Sequence, residues 1–144
     1  MRAGQKLYDN NAVQVALFPL EGFHISQRDD ETFSHNPSRY WATDYLGWGD
    51  DGRILRCPCY APVDIKCIWL NKTNCVAVWE SLDKVHLANG QLDYLTILFM
   101  HCNNPPYTKV GTVVKQGQLC YRTGSFGYVT GDHTHTCCGK GTYQ

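Results

Sequence analysis

The sequence is short of several things. It has no apolar run of about 18 residues, the length that a membrane-spanning helix needs, so no membrane partner is expected. It has no charge excess, because 13 basic and 13 acidic side chains cancel to a formal net charge of zero. A basic footprint for nucleic acid is therefore missing. The longest block of like charge is Asp29-Asp30-Glu31, which reads as a solvated loop. No segment carries a convincing helical period, and there is no internal repeat or low-complexity linker. The apolar stretch Val13 to Phe18 is too short and too interrupted for the core of a secretory signal. Without one, the chain is expected in the cytosol, or to leave the cell by another route.

Cysteine and histidine are well represented. Eight cysteines stand in 144 residues. In the absence of a signal peptide, free thiols are the better expectation. A structural zinc site from Cys57-Pro-Cys59 with Cys137-Cys138 does not suit the usual ligand spacing. Most of these cysteines are expected to act as small buried hydrophobes. The length suits one domain spanning residues 1–144, with about the first 30 residues packed on it. A hydrophobic share of 43% against 18% charged residues is enough to bury a core.

Strand signals dominate. Val63 to Trp69 begins by alternating apolar and polar positions, and Cys75 to Trp79 follows a short polar turn. Tyr94 to Met100 is almost wholly apolar, which predicts a strand buried on both faces. Asn89-Gly90, Asn104-Pro105-Pro106, Gly117-Gln118, Thr123-Gly124 and Gly131-Asp132 are turn signals between them. Residues 80–88 are the place for a single helical turn. The pattern predicts an all-β, antiparallel domain with few or no helices.

The chemistry rests on histidine. Gly131-Asp-His-Thr-His135 puts two imidazoles at i and i+2, so on a strand they share one face. Alone, such a pair reads as two polar surface residues. It is not alone, because His101 closes the most hydrophobic segment, and His35 and Asp44 flank an aromatic stretch further upstream. A catalytic zinc needs three nitrogen or oxygen ligands and an open position for water. His35, Asp44 and one of His133 and His135 supply that set. His24 is a rival to His35. Tyr40, Trp41, Tyr45 and Trp48 crowd Asp44, either packing a loop or lining a groove for an extended peptide.

This order of residues resembles the lysostaphin-type zinc endopeptidases, which cleave the peptides of bacterial peptidoglycan. The likeness lies in the early His and Asp, a strand-end His, a glycine-punctuated stretch from Lys109, and the closing Thr130-Gly-Asp-His-Thr-His135. It covers about His35 to Thr136. Eight residues separate His35 from Asp44, a longer interval than the family usually shows. The resemblance implies a compact β-barrel-like or sandwich-like sheet domain with one Zn2+ per chain. His35, Asp44 and His135 would hold the ion, and His101 and His133 would be catalytic. Which of the two is the general base stays open. Cys137 would share the face of the His pair. With no signal peptide, the implied setting is a bacteriophage endolysin that stays in the host cytoplasm until lysis. Its partner would be the cell wall, it would act as a monomer, and any wall-binding domain would lie C-terminal to this chain.

Overall fold

The computed structural model describes residues 1–28, 42–73, 75–101, 108–125 and 131–142. His35, Tyr40, Trp41, the acidic run 29–31 and the turn at 104–106 lie outside the described residues. The strands are β1 (Phe23–Gln27), β2 (Ala42–Gly49), β3 (Gly52–Ile54), β4 (Pro58–Tyr60), β5 (Ile65–Asn71) and β6 (Val76–Ser81). Then come β7 (Val85–His86), β8 (Leu92–Asp93), β9 (Leu95–Met100), β10 (Val113–Val114), β11 (Leu119–Arg122) and β12 (Thr134–Lys140). Among the described residues there is no helix, and every strand pair is antiparallel.

One sheet dominates, in the order β1-β2-β12-β9-β6-β5-β10, with β3 added beside β2. Two small ribbons, β4 with β11 and β7 with β8, complete the fold. Residues 80–88 form no helical turn: β6 runs to Ser81 and Val85–His86 pairs with Leu92–Asp93. The local sequence allowed a helix, but its residues are taken up by sheet pairing. Gly90, at φ 82°, closes that ribbon in the left-handed region where a side chain would be strained.

The sheet has a core face and a second face. Leu95, Ile97 and Phe99 of β9 point to the core, with Ala77 and Trp79 of β6 and Ile65 and Cys67 of β5. The β4–β11 ribbon closes beneath them, and the Tyr121 ring lies 3.9 Å from that of Phe99. Burying each such large side chain contributes roughly 1.5–3 kcal/mol. The alternate residues Thr96, Leu98 and Met100 are only half-buried. The second face of β9 is therefore covered less fully than the prediction of a strand buried on both faces requires. The N-terminal segment is sewn onto the core by Leu20, which is buried, and by Gln116. The Gln116 amide accepts from Leu7 N and donates to Val15 O and Pro62 O, each at 2.9 Å.

Candidate active site

The site forms where β12 is wedged between β2 and β9. His135 stands directly opposite Asp44 of β2 and Met100 of β9. Cross-strand partners in an antiparallel pair bring their Cβ atoms to about 4.5–5.5 Å, so this register alone puts imidazole against carboxylate. His135 Nδ1 lies 3.0 Å from Asp44 Oδ1. His133, just before β12, reaches the same carboxylate oxygen, with Nε2 3.7 Å from Oδ1. His101, one residue past β9, turns its ring to within 4.9 Å of the His133 ring and 6.0 Å of the His135 ring. Asp44, His101 and His135 are all buried, and the His133 side chain is nearly so.

Burial is the largest influence on the His135 ring and disfavours its charged form. The Asp44 carboxylate and the Cys137 side chain together outweigh it, and the pKa rises to about 9. Cys137 follows at i+2 on the same face, with Sγ 3.9 Å from His135 Nε2. By contrast, burial pushes the Cys57, Cys67 and Cys120 thiols up. Those sulfurs are protonated at neutral pH and poor nucleophiles.

Four of the six histidine and aspartate residues singled out from the sequence thus converge. His35 lies outside the described residues. His24 does not join them, since it pairs with Leu46 and sets its ring 5.2 Å from that of Trp48. Trp48 shares the face of Asp44, four residues further along β2, and is 40% exposed. Tyr45 is turned to the opposite face, because neighbours on a strand alternate. It packs there against Phe18 and Phe23, at ring separations of 5.0 and 5.5 Å. It belongs to the back of the sheet, where a cavity of about 640 Å³ opens between residues 16–20 and β12. Nothing in the sequence marks Arg53 and Arg56, yet both reach the segment leading into His133. Arg53 donates to the Asp132 carbonyl, and Arg56 N donates to Asp132 Oδ2 at 3.2 Å. Their signal is tertiary and leaves no local pattern.

Asp44 and His135 are of the donor types that zinc takes. Donor atoms on one tetrahedral zinc lie roughly 3.3 Å apart, given bonds of about 2.0–2.1 Å. Asp44 Oδ1 and His135 Nδ1, at 3.0 Å, have that kind of separation. Among the described residues, no three His, Cys, Asp or Glu side chains form a group that would hold a metal.

The chain matches no protein-family model. It is 32% identical over 126 residues to morphogenesis protein 1 of Bacillus phage B103, a match covering 88% of this chain and 32% of that protein. The chain thus spans about a third of its relative's length. A zinc-containing peptidase from Vibrio cholerae superposes with a TM-score of 0.61 at 19% identity, over 92% of this chain and 40% of the other. The catalytic domain of the antimicrobial peptidase lysostaphin from Staphylococcus simulans does so with a TM-score of 0.52 at 18% identity, over 93% and 85%. The fold is that of the lysostaphin-type peptidases.

Proposed function

We propose that this chain is a zinc endopeptidase that hydrolyses peptide bonds of bacterial peptidoglycan, in the cross-bridge or the stem. The observation that carries this reading is the convergence of Asp44, His101, His133 and His135 on one face of the sheet. Asp44 and His135 would hold the ion, with His35 as the third ligand that the family resemblance implies. Bound zinc supplies a water acidic enough to ionise near neutral pH and a Lewis acid for the scissile carbonyl. The chain's own groups do the rest. One of His101 and His133 takes the proton of the attacking water and passes it to the leaving amine. The other donates to the oxygen on which negative charge develops. The second face around Trp48 offers an extended peptide apolar and backbone contacts.

The setting we propose is bacteriophage infection. The resemblance to a phage morphogenesis protein supports it. It favours a wall-cutting domain carried on the particle over a purely cytoplasmic endolysin, and wall-targeting would fall to other parts of a longer protein.

The test is solubilisation of purified cell walls by the zinc-loaded chain, read as new amino groups and stopped by a chelator. No release from a zinc-loaded sample refutes the reading. His135→Ala should lose metal and activity together. His133→Ala should lose activity, by about 100-fold or more as is typical of a general acid–base group, and keep its metal. If both variants lose the metal alike, the division of roles is wrong.

A second reading draws on the row Asp44, His135, Cys137, in which a carboxylate, an imidazole and a thiol touch in turn. A cysteine peptidase uses such a row. The metal reading is preferred because it employs His101 and His133 as well. Cys137→Ala decides: the zinc enzyme keeps its activity and resists alkylation, and the thiol enzyme loses everything.

A further inference from the structure

We propose that Trp48, braced by His24, is a sugar subsite that seats a pyranose ring of the glycan strand about four residues from the bond that is cut. Within the peptidase reading above, on which this rests, the substrate is then a stem peptide still joined to its glycan and cleaved near its far end. Asp44, Leu46 and Trp48 share one face of β2, because alternate residues of a strand point the same way. His24 is the cross-strand partner of Leu46, and Arg53 that of Trp48, so both stand on that face as well. A floor thus runs along β2 from Asp44 and His135 over Leu46 to Trp48, flanked at its end by His24 and Arg53.

Trp48 is 40% exposed, yet its backbone is fixed on both edges. Its N–H donates to Gly22 O at 3.0 Å, and β3 pairs with it from the other edge. Gly22 comes so close that a Cβ there would meet Trp48 O at 2.1 Å. The His24 ring packs 5.2 Å from the indole, tilted by 36°. The indole is therefore held before a ligand arrives, and little side-chain freedom is lost when one does. The face of an aromatic ring is negative. A pyranose lays its apolar, weakly positive C–H groups against such a face, and its hydroxyls at the rim need polar partners. The surroundings of Trp48 supply them, where an apolar side chain would want a greasy pocket. Arg53 has five N–H donors and gives one to the Asp132 carbonyl. Asp50 and Asp51, in the turn between β2 and β3, are exposed. The spacing selects the bond. Four residues along a strand cover roughly 13 Å, at about 3.3 Å each. An extended stem peptide of about four residues has the same reach. With its sugar on Trp48, the far end of the stem meets the Asp44–His135 pair.

The test compares two soluble substrates from one wall. One is cross-linked muropeptide that keeps its sugars, and the other is the same peptide after an amidase has removed them. The zinc-loaded wild type should favour the sugar-bearing form by about 10-fold in kcat/KM, as one well-placed ring contact does. Trp48→Ala should abolish that preference, and Trp48→Phe should keep most of it. Trp48 is exposed, so neither change should prevent folding. A wild type without the preference overturns the proposal, and so does a preference that survives Trp48→Ala. Equal losses on both substrates in Trp48→Ala also overturn it, since Trp48 would then be a peptide contact. In digests of intact walls, sugar-bearing fragments should carry about four residues, and fragments with one residue or none contradict the spacing. Binding is read apart from activity, by titrating the 15N-indole signals with the peptide-free disaccharide of the wall. The Trp48 signal, identified by its loss in Trp48→Phe, should shift, and a signal that stays still overturns the subsite. An inactive zinc-loaded wild type would sink the peptidase reading instead, and the titration would still decide whether Trp48 takes a sugar.

Discussion

At the scale of single residues, His101 is the most informative. It has φ 64°, in the left-handed region that side chains seldom occupy. Such strain is held at a functional position by its surroundings and costs of order 1–3 kcal/mol. It turns the ring at the end of β9 out of strand register and towards His133 and His135. Glycine accepts that backbone and alanine does not. His101→Gly should therefore be more stable than His101→Ala by about 1–2 kcal/mol, the cost of a left-handed non-glycine residue. Both should be inactive. Urea midpoints of the two variants check this, and equal midpoints would mean that the backbone relaxes when the ring is gone.

At the scale of elements, the join between the N-terminal segment and the sheet depends on one buried amide. Gln116 is fully buried and satisfies three backbone groups that belong to residues 7, 15 and 62. Gln116→Leu fills the space and strands those partners. Each buried group left unpaired costs about 1–3 kcal/mol, so the variant should lose several kcal/mol in chemical denaturation. A conserved midpoint would show that water replaces the amide. The elements differ in how far they were legible. β5 follows from the alternation at its start, and β6 and β9 from their apolar, β-rich runs, whereas the strand supposed under His133 and His135 begins only at Thr134. The short ribbons were not legible: β7 and β8 are two residues each, too few for a period to show. Asp44, His101, His133 and His135 were legible because the order of rare residue types survives in the sequence. The facing of Tyr45 was not, although simple alternation from Asp44 would have sent it to the back of the sheet. Arg53 was illegible for a different reason, since its partner lies 79 residues away and a lone arginine in a hairpin carries no pattern.

At the scale of the whole molecule, Asp64 ties three segments together and makes stability depend on pH. Partial burial raises its pKa. The Gln116 N–H, the Gln14 side chain and the Lys115 ammonium together outweigh that and hold it below the ordinary carboxylate value. A pKa lower in the folded chain than in the unfolded one means stability that is present above the unfolded value. That stability is lost as pH falls through the folded value. Asp64→Asn should therefore be less stable than wild type near neutrality, and the gap should narrow in acid, as pH falls below the ordinary Asp value of about 3.9 and through the lower folded one. Urea midpoints at the two pH values read this directly, and a gap that persists in acid would contradict it. The position of β12 carries a consequence for the order of events in folding. It is the last strand among the described residues, yet it sits inside the sheet, with β2 on one side and β9 on the other. The contact it makes with Asp44 spans 91 residues. Closing so long a loop is slow compared with local pairing. The Asp44–His135 pair does not exist until that closure, so a nascent or half-folded chain lacks the site on which the proposed activity depends.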